Sequence, residues 1–276
     1  MKIIILLALL IVFPVYYSAA TVKQDAVSAQ IIPQYESIKP GSLFEIGVLF
    51  KMEPGWHIYW QNPGDAGLPT EINWEMPDGF EIVKQKYPYP SQFEFSIFAN
   101  YGYKNEVLIS TVFKAPEKTD NRKLIFRAEY TWLMCKEKCI KGGGNDSIVL
   151  KYAEENTEND KWNNINKKYE SKYPVTIDDF SVISYKTNET VELKIINKDK
   201  YEFKADGLLF YPLDIGIFNH GKSPRIEKDN NGLNITLYLD EYRIEEPKEV
   251  TGVLVGKDEI FKNSSEKAVY IESHFK

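Results

Sequence analysis

Sulfur and imidazole are scarce in this chain, whose 276 residues carry two cysteines, three histidines and four methionines. A small scaffold held together by many disulfides is excluded, because there is material for one bridge. No Cys-x-x-Cys occurs, and His57, His220 and His274 form no pair at ligand spacing, so the usual zinc and thioredoxin-like patterns are missing. Positive charge is not in excess either. The formal net charge is −6, or −7 once Lys2 leaves with the leader described below, so no basic surface is expected for nucleic acid or an anionic membrane. Beyond residue 20 there is no apolar run of the ~20 residues that a membrane-spanning helix needs.

What is present begins with residues 1–20. Lys2, an apolar stretch from Ile3 to Val15 and the small-residue end Ser18-Ala19-Ala20 read as a cleavable secretory signal. The mature chain is therefore expected to be soluble and exported to a compartment where disulfides form. Aromatics at 14% and hydrophobics at 43% supply a packed core.

Short runs rich in β-branched and aromatic residues follow: 42–50, 71–76, 80–87, 106–113 and 123–134, separated by "KPG", "EPG", "NPGDAG" and "PDG". Strands at this spacing without intervening helices predict an antiparallel sandwich. The period changes between Asn159 and Lys172, where Trp162, Ile165 and Tyr169 recur at helical spacing with Asn159 as N-cap and Pro174 beyond the end. Strand signals resume at 180–185, 191–196, 208–218, 233–239, 250–256 and 268–273. The expected organisation is mainly β: a first domain over 21–153, a linker helix over 154–175 and a second, smaller β-domain over 176–276.

Both cysteines fall in "TWLMCKEKCI", residues 131–140. Three chemistries are open to them. As a staple, a Cys135–Cys139 bridge closes a five-residue loop, for which the chain-entropy model gives only ~2 kcal/mol. As a metal site, the two thiolates could hold Cu(I) with Met134 or His57 as a further ligand. As a redox couple, the pair would draw thiolate stabilisation from Lys136, Lys138 and Lys141 against the opposition of Glu137, and Gly142-Gly143-Gly144 would let the backbone yield.

"PGWHIYWQNPGDAGLP" (54–69), "YPYPSQF" (87–93), "YGYKNEV" (101–107) and "YTWLMCKEKCI" (130–140) resemble, in that order, the periplasmic amino-terminal region of the thiol:disulfide interchange reductase DsbD family, above all its ScsB-type copper-suppressor branch. "LLFYPLDIGIFNHGKSP" (208–224) and "VTGVLVG" (250–256) resemble the segment that follows in those relatives. The resemblance implies an immunoglobulin-like sandwich, without a bound cofactor, whose Cys135 and Cys139 cycle between dithiol and disulfide. It implies a membrane-embedded thiol reductase as electron donor and periplasmic thioredoxin-fold proteins as recipients. The chain ends at Lys276 without a thioredoxin domain, so the donor is expected to be a separate protein. The segment from Tyr87 to Tyr103 takes the place of the loop that covers the disulfide with an aromatic ring in DsbD, leaving Phe93, Phe95, Phe98 and Tyr101 as candidates for that ring. In DsbD the second cysteine of the corresponding pair forms the mixed disulfide, a role that falls here on Cys139, with Cys135 resolving. Relatives place a proline where this chain has Lys141, which predicts a looser turn. Copper tolerance through the same cysteines, and a non-catalytic module with a structural bridge, are the alternatives.

Overall fold

The computed structural model describes residues 22–24, 26–95, 98–119, 123–197, 201–204, 206–230, 232–262 and 264–275. The expected signal over residues 1–20 lies outside them. The chain opens with β1 (Val22–Gln24), β2 (Val27–Pro33), β3 (Tyr35–Ile38), β4 (Leu43–Met52), β5 (His57–Gly64), β6 (Glu71–Glu75) and β7 (Glu81–Lys86). It continues with β8 (Ser91–Phe95), β9 (Phe98–Lys104), β10 (Glu106–Lys114), β11 (Lys123–Cys135), β12 (Cys139–Tyr152) and β13 (Thr157–Glu158). These strands form two sheets. One runs β1-β2-β4-β10-β7, the other β13-β3-β12-β11-β5-β9-β8 with β6 also paired to β11. Apart from a short parallel contact between β3 and β12, the pairings are antiparallel.

The two sheets close over one aromatic core. Phe44 and Phe113 stack at 5.5 Å, and Phe126 meets both edge-on from the opposite sheet. Strand β11 alternates strictly, with Leu124, Phe126, Ala128, Tyr130, Trp132 and Met134 all buried, as expected of a strand with one face on a core. Strand β4 does not alternate: Ile46 through Phe50 are all buried. Its second face is covered by α1 (Asp160–Asn166), whose Trp162 lies over Gly47.

The helical segment differs from the single helix expected over 159–172. Asn159 does cap it, its side chain accepting from the Lys161 amide at 3.0 Å. The chain then leaves α-geometry after Asn166, tightening through turns into a short 3₁₀ segment, Glu170–Lys172. Asn163, Asn164 and Asn166 are weak helix formers, whereas Tyr169 and Tyr173 gain burial against the sandwich, and the Tyr173 hydroxyl donates to the Leu108 carbonyl at 2.9 Å.

Residues 180–274 form two further antiparallel sheets. β14 (Phe180–Lys186), β15 (Thr190–Asn197), β16 (Leu208–Pro212), β17 (Arg225–Asp229), β18 (Gly232–Tyr238), β19 (Glu249–Gly256) and β20 (Ala268–His274) arrange as β14-β15-β18-β17 and β16-β19-β20. They enclose a core of their own that includes Phe203, Phe210, Leu233, Ile235, Leu237 and Phe261. The 208–218 stretch, expected as one strand, is a strand only to Pro212. Beyond it the chain turns toward the first sandwich, where Leu213 packs and the Asp214 carbonyl is bonded by Asn62. Tyr211, Val253, Val255 and Ala268 also pack into the first unit's core rather than their own. Among the described residues no helix is long and apolar enough to cross a membrane.

Candidate functional site

Strands β11 and β12 form a long hairpin whose last paired residues are Cys135 and Cys139, joined by a disulfide across the three-residue turn Lys136–Glu137–Lys138. The turn is closed by the Lys136 amide donating to the Lys138 carbonyl at 3.2 Å. Alternation decides what each neighbour faces. Met134 points into the sandwich core and is fully buried there, whereas Cys135 belongs to the opposite face of the sheet. Cys135 is buried too, while Cys139 is exposed.

The cover over Cys135 comes from β5 and the β8–β9 hairpin. In register His57 stands opposite Cys135 and Ile58 opposite Met134. His57 and Tyr59 therefore share the outer face, with Ile58 and Trp60 in the core. The Tyr59 hydroxyl donates to Cys135 Sγ at 3.3 Å. Phe93 of β8 lies across this pair, its ring 4.3 Å from the His57 ring and 6.2 Å from that of Tyr59, and the Lys104 ammonium sits 5.1 Å from the centre of the Phe93 ring. Gly102 of β9 has no room for a side chain, because a Cβ there would collide with the Ile58 carbonyl oxygen.

The electrostatics follow from this burial. Burial, and secondarily the charge of Lys104, lower the His57 pKa to about 4, so the imidazole is neutral at neutral pH. Burial also raises the Tyr59 hydroxyl above its ordinary value, keeping it a hydrogen-bond donor. The site thus holds a disulfide with one sulfur buried beside a phenol donor and the other open to solvent. Such an arrangement can exchange thiols at one sulfur while protecting the second.

Of the candidate cover residues whose side chains are described, Phe93 alone is placed against the site. Phe98 is 41% exposed. Tyr101 is buried against Trp60 and Tyr211. The Phe95 side chain lies outside the described residues. For the copper alternative, His57 neighbours the cysteines but Met134 faces away from Cys135. The three glycines 142–144 do not serve as a yielding hinge. They are paired along β11, and Gly142 receives the Trp132 indole where a Cβ would otherwise stand. Nor does Lys141 loosen the turn, since it is paired with Leu133 inside the same ladder. Tyr59 and Lys104 are not among the sequence candidates. The His-x-Tyr alternation within "GWHIYW" is the signal that could have found Tyr59, since it places both rings on one strand face.

Residues 24–150 match the family described as thiol:disulfide interchange protein DsbD, N-terminal. This part of the chain is a DsbD amino-terminal domain. The fold of the longer chain is shared with the N-terminal periplasmic domain of ScsB from Proteus mirabilis, at 18% identity and a TM-score of 0.64, covering 92% of this chain and 96% of that one. The DsbD n-terminal domain of Neisseria meningitidis in the reduced form also aligns, at 12% identity and a TM-score of 0.27, over 44% of this chain and 84% of that one. No curated protein sequence matches the chain. The DsbD-type domain places the chain in a thiol–disulfide interchange family, with its cysteine pair at bonding distance.

Proposed function

We propose that this protein relays electrons in the periplasm through a reversible Cys135–Cys139 disulfide, from a membrane-embedded thiol reductase to thioredoxin-fold proteins. The observation that carries the reading is the asymmetry of the pair, with Cys139 exposed at the hairpin tip and Cys135 buried beside the Tyr59 hydroxyl.

In the reduced protein the Cys139 thiolate attacks one sulfur of the recipient's disulfide. A mixed disulfide forms and the recipient's other sulfur leaves as thiolate. The Cys135 thiolate, which accepts a hydrogen bond from Tyr59, then attacks the Cys139 sulfur. The internal disulfide forms, the recipient departs as a dithiol, and two electrons have moved. The same steps in reverse, with a dithiol donor, recharge the pair. Phe93 serves as the cover that must move before a partner can dock.

In cells carrying the native partners, Cys135→Ser should accumulate a reductant-sensitive covalent complex with a thioredoxin-fold protein, and Cys139→Ser should accumulate little. The opposite pattern would reverse the roles, and no complex with either variant would overturn the relay. A redox titration adds a second test. A structural bridge should resist reduction to below roughly −300 mV, whereas a relay couple should titrate at a higher potential.

A further inference from the structure

The two strands of the cover hairpin are attached to the carboxy-terminal unit as well as to their own sheet. Tyr211, in β16, is hydrogen-bonded by the Gln92 backbone of β8, one residue from Phe93. Its ring packs edge-on against Tyr101 of β9 at 5.0 Å and against Trp60 of β5 at 6.2 Å. His220 Nδ1 lies 3.0 Å from the Tyr101 hydroxyl in a buried contact. Asp65 joins the two units a third time, one carboxylate oxygen accepting from the Ala99 amide of β9 at 2.9 Å and the other from the His220 amide at 3.2 Å.

The base of these contacts is itself fixed. Asn62, fully buried, donates to the Pro212 and Asp214 carbonyls and accepts from the Gly64 amide. The Asp214 carboxylate accepts from the Thr251 amide and hydroxyl of β19. A loop of the second unit, pinned at both its own sheet and the first sandwich, therefore grips both strands of the hairpin that carries Phe93.

We infer that Tyr211 and His220 are positioning residues for the redox site: the carboxy-terminal unit braces the β8–β9 hairpin over the disulfide and sets how readily the cover opens. The inference rests on the reading of Phe93 as a cover. Neither residue touches a cysteine, so their effect must pass through the hairpin.

The test uses the full chain carrying Tyr211→Phe, His220→Leu or both, with Tyr242→Ala as a control on an exposed side chain of the same unit. Tyr211→Phe keeps the ring packing and removes only the hydroxyl. Hydrogen exchange of the oxidised protein should speed up over 91–104, by about fivefold for each hydrogen bond lost, while β4 and β10 exchange as before. Alkylation of Cys135 in the reduced protein should accelerate in parallel, and the control should change neither. Unchanged exchange over 91–104 would overturn the brace. Faster exchange with alkylation accelerated by Phe93→Ala alone would overturn the claim that the brace governs opening. Faster exchange with no acceleration in any variant, Phe93→Ala included, would overturn the cover reading instead.

Discussion

Replacing Phe93 by alanine isolates the cover from the rest of the site. The ring is half-buried, which contributes about 1 kcal/mol toward closure. Its contact with His57 at 4.3 Å adds roughly 0.5–1.5 kcal/mol, and the Lys104 ammonium about 0.5 kcal/mol in so open a setting. Closure is then favoured by about 2 kcal/mol through this side chain, which corresponds to a roughly thirtyfold rise in the open population on its removal. Cys139 is exposed already, so the gain should concentrate on Cys135. The assay is alkylation of the reduced protein with quenched time points, the two cysteines being resolved by peptide mass spectrometry. Cys135 should react faster in the variant by one to one and a half powers of ten, with Cys139 nearly unchanged and the melting transition intact. Equal Cys135 rates in variant and parent would refute the shielding argument, as would an acceleration that appears only with loss of cooperative unfolding.

His57 gives a pH signature. Its pKa of about 4 in the folded protein lies below the ordinary ~6.5, so the unfolded chain binds the additional proton and stability falls as pH drops from about 6.5 toward 4, by at most ~1.4 kcal/mol per pH unit. His57→Phe should flatten the melting temperature against pH in that window, and parallel profiles would contradict the assignment. Asn62→Ala leaves two carbonyls and an amide without their side-chain partner and should cost ~2–4 kcal/mol in denaturant unfolding; a loss below about 1 kcal/mol would show that the contact between the units is dispensable. Gly142→Val forces the Trp132 indole aside and should destabilise by about 1–3 kcal/mol, read by the same method, with a neutral result arguing against the ring sitting on the glycine.

The sequence by itself determined the β-character of the chain, the cysteine pair and the family likeness. Strand alternation and turn residues are local signals, and the pattern Leu124, Phe126, Ala128, Tyr130, Trp132, Met134 names a core face without any knowledge of its partner. The motifs around His57 and the cysteines are equally legible, because each is short and contiguous. What only the tertiary structure decided is which face of the sheet Cys135 joins, and which ring covers it. Aromatic side chains in one loop look alike in sequence; register and hairpin direction put Phe93 against His57 and turned Tyr101 toward Tyr211 and His220. The helix after Asn159 shows the same division. Its period and N-cap are readable, but its early end is set by the burial of Tyr169 and Tyr173, the latter bonded to Leu108 at a separation of 65 residues in the chain, a gain that local propensity does not encode.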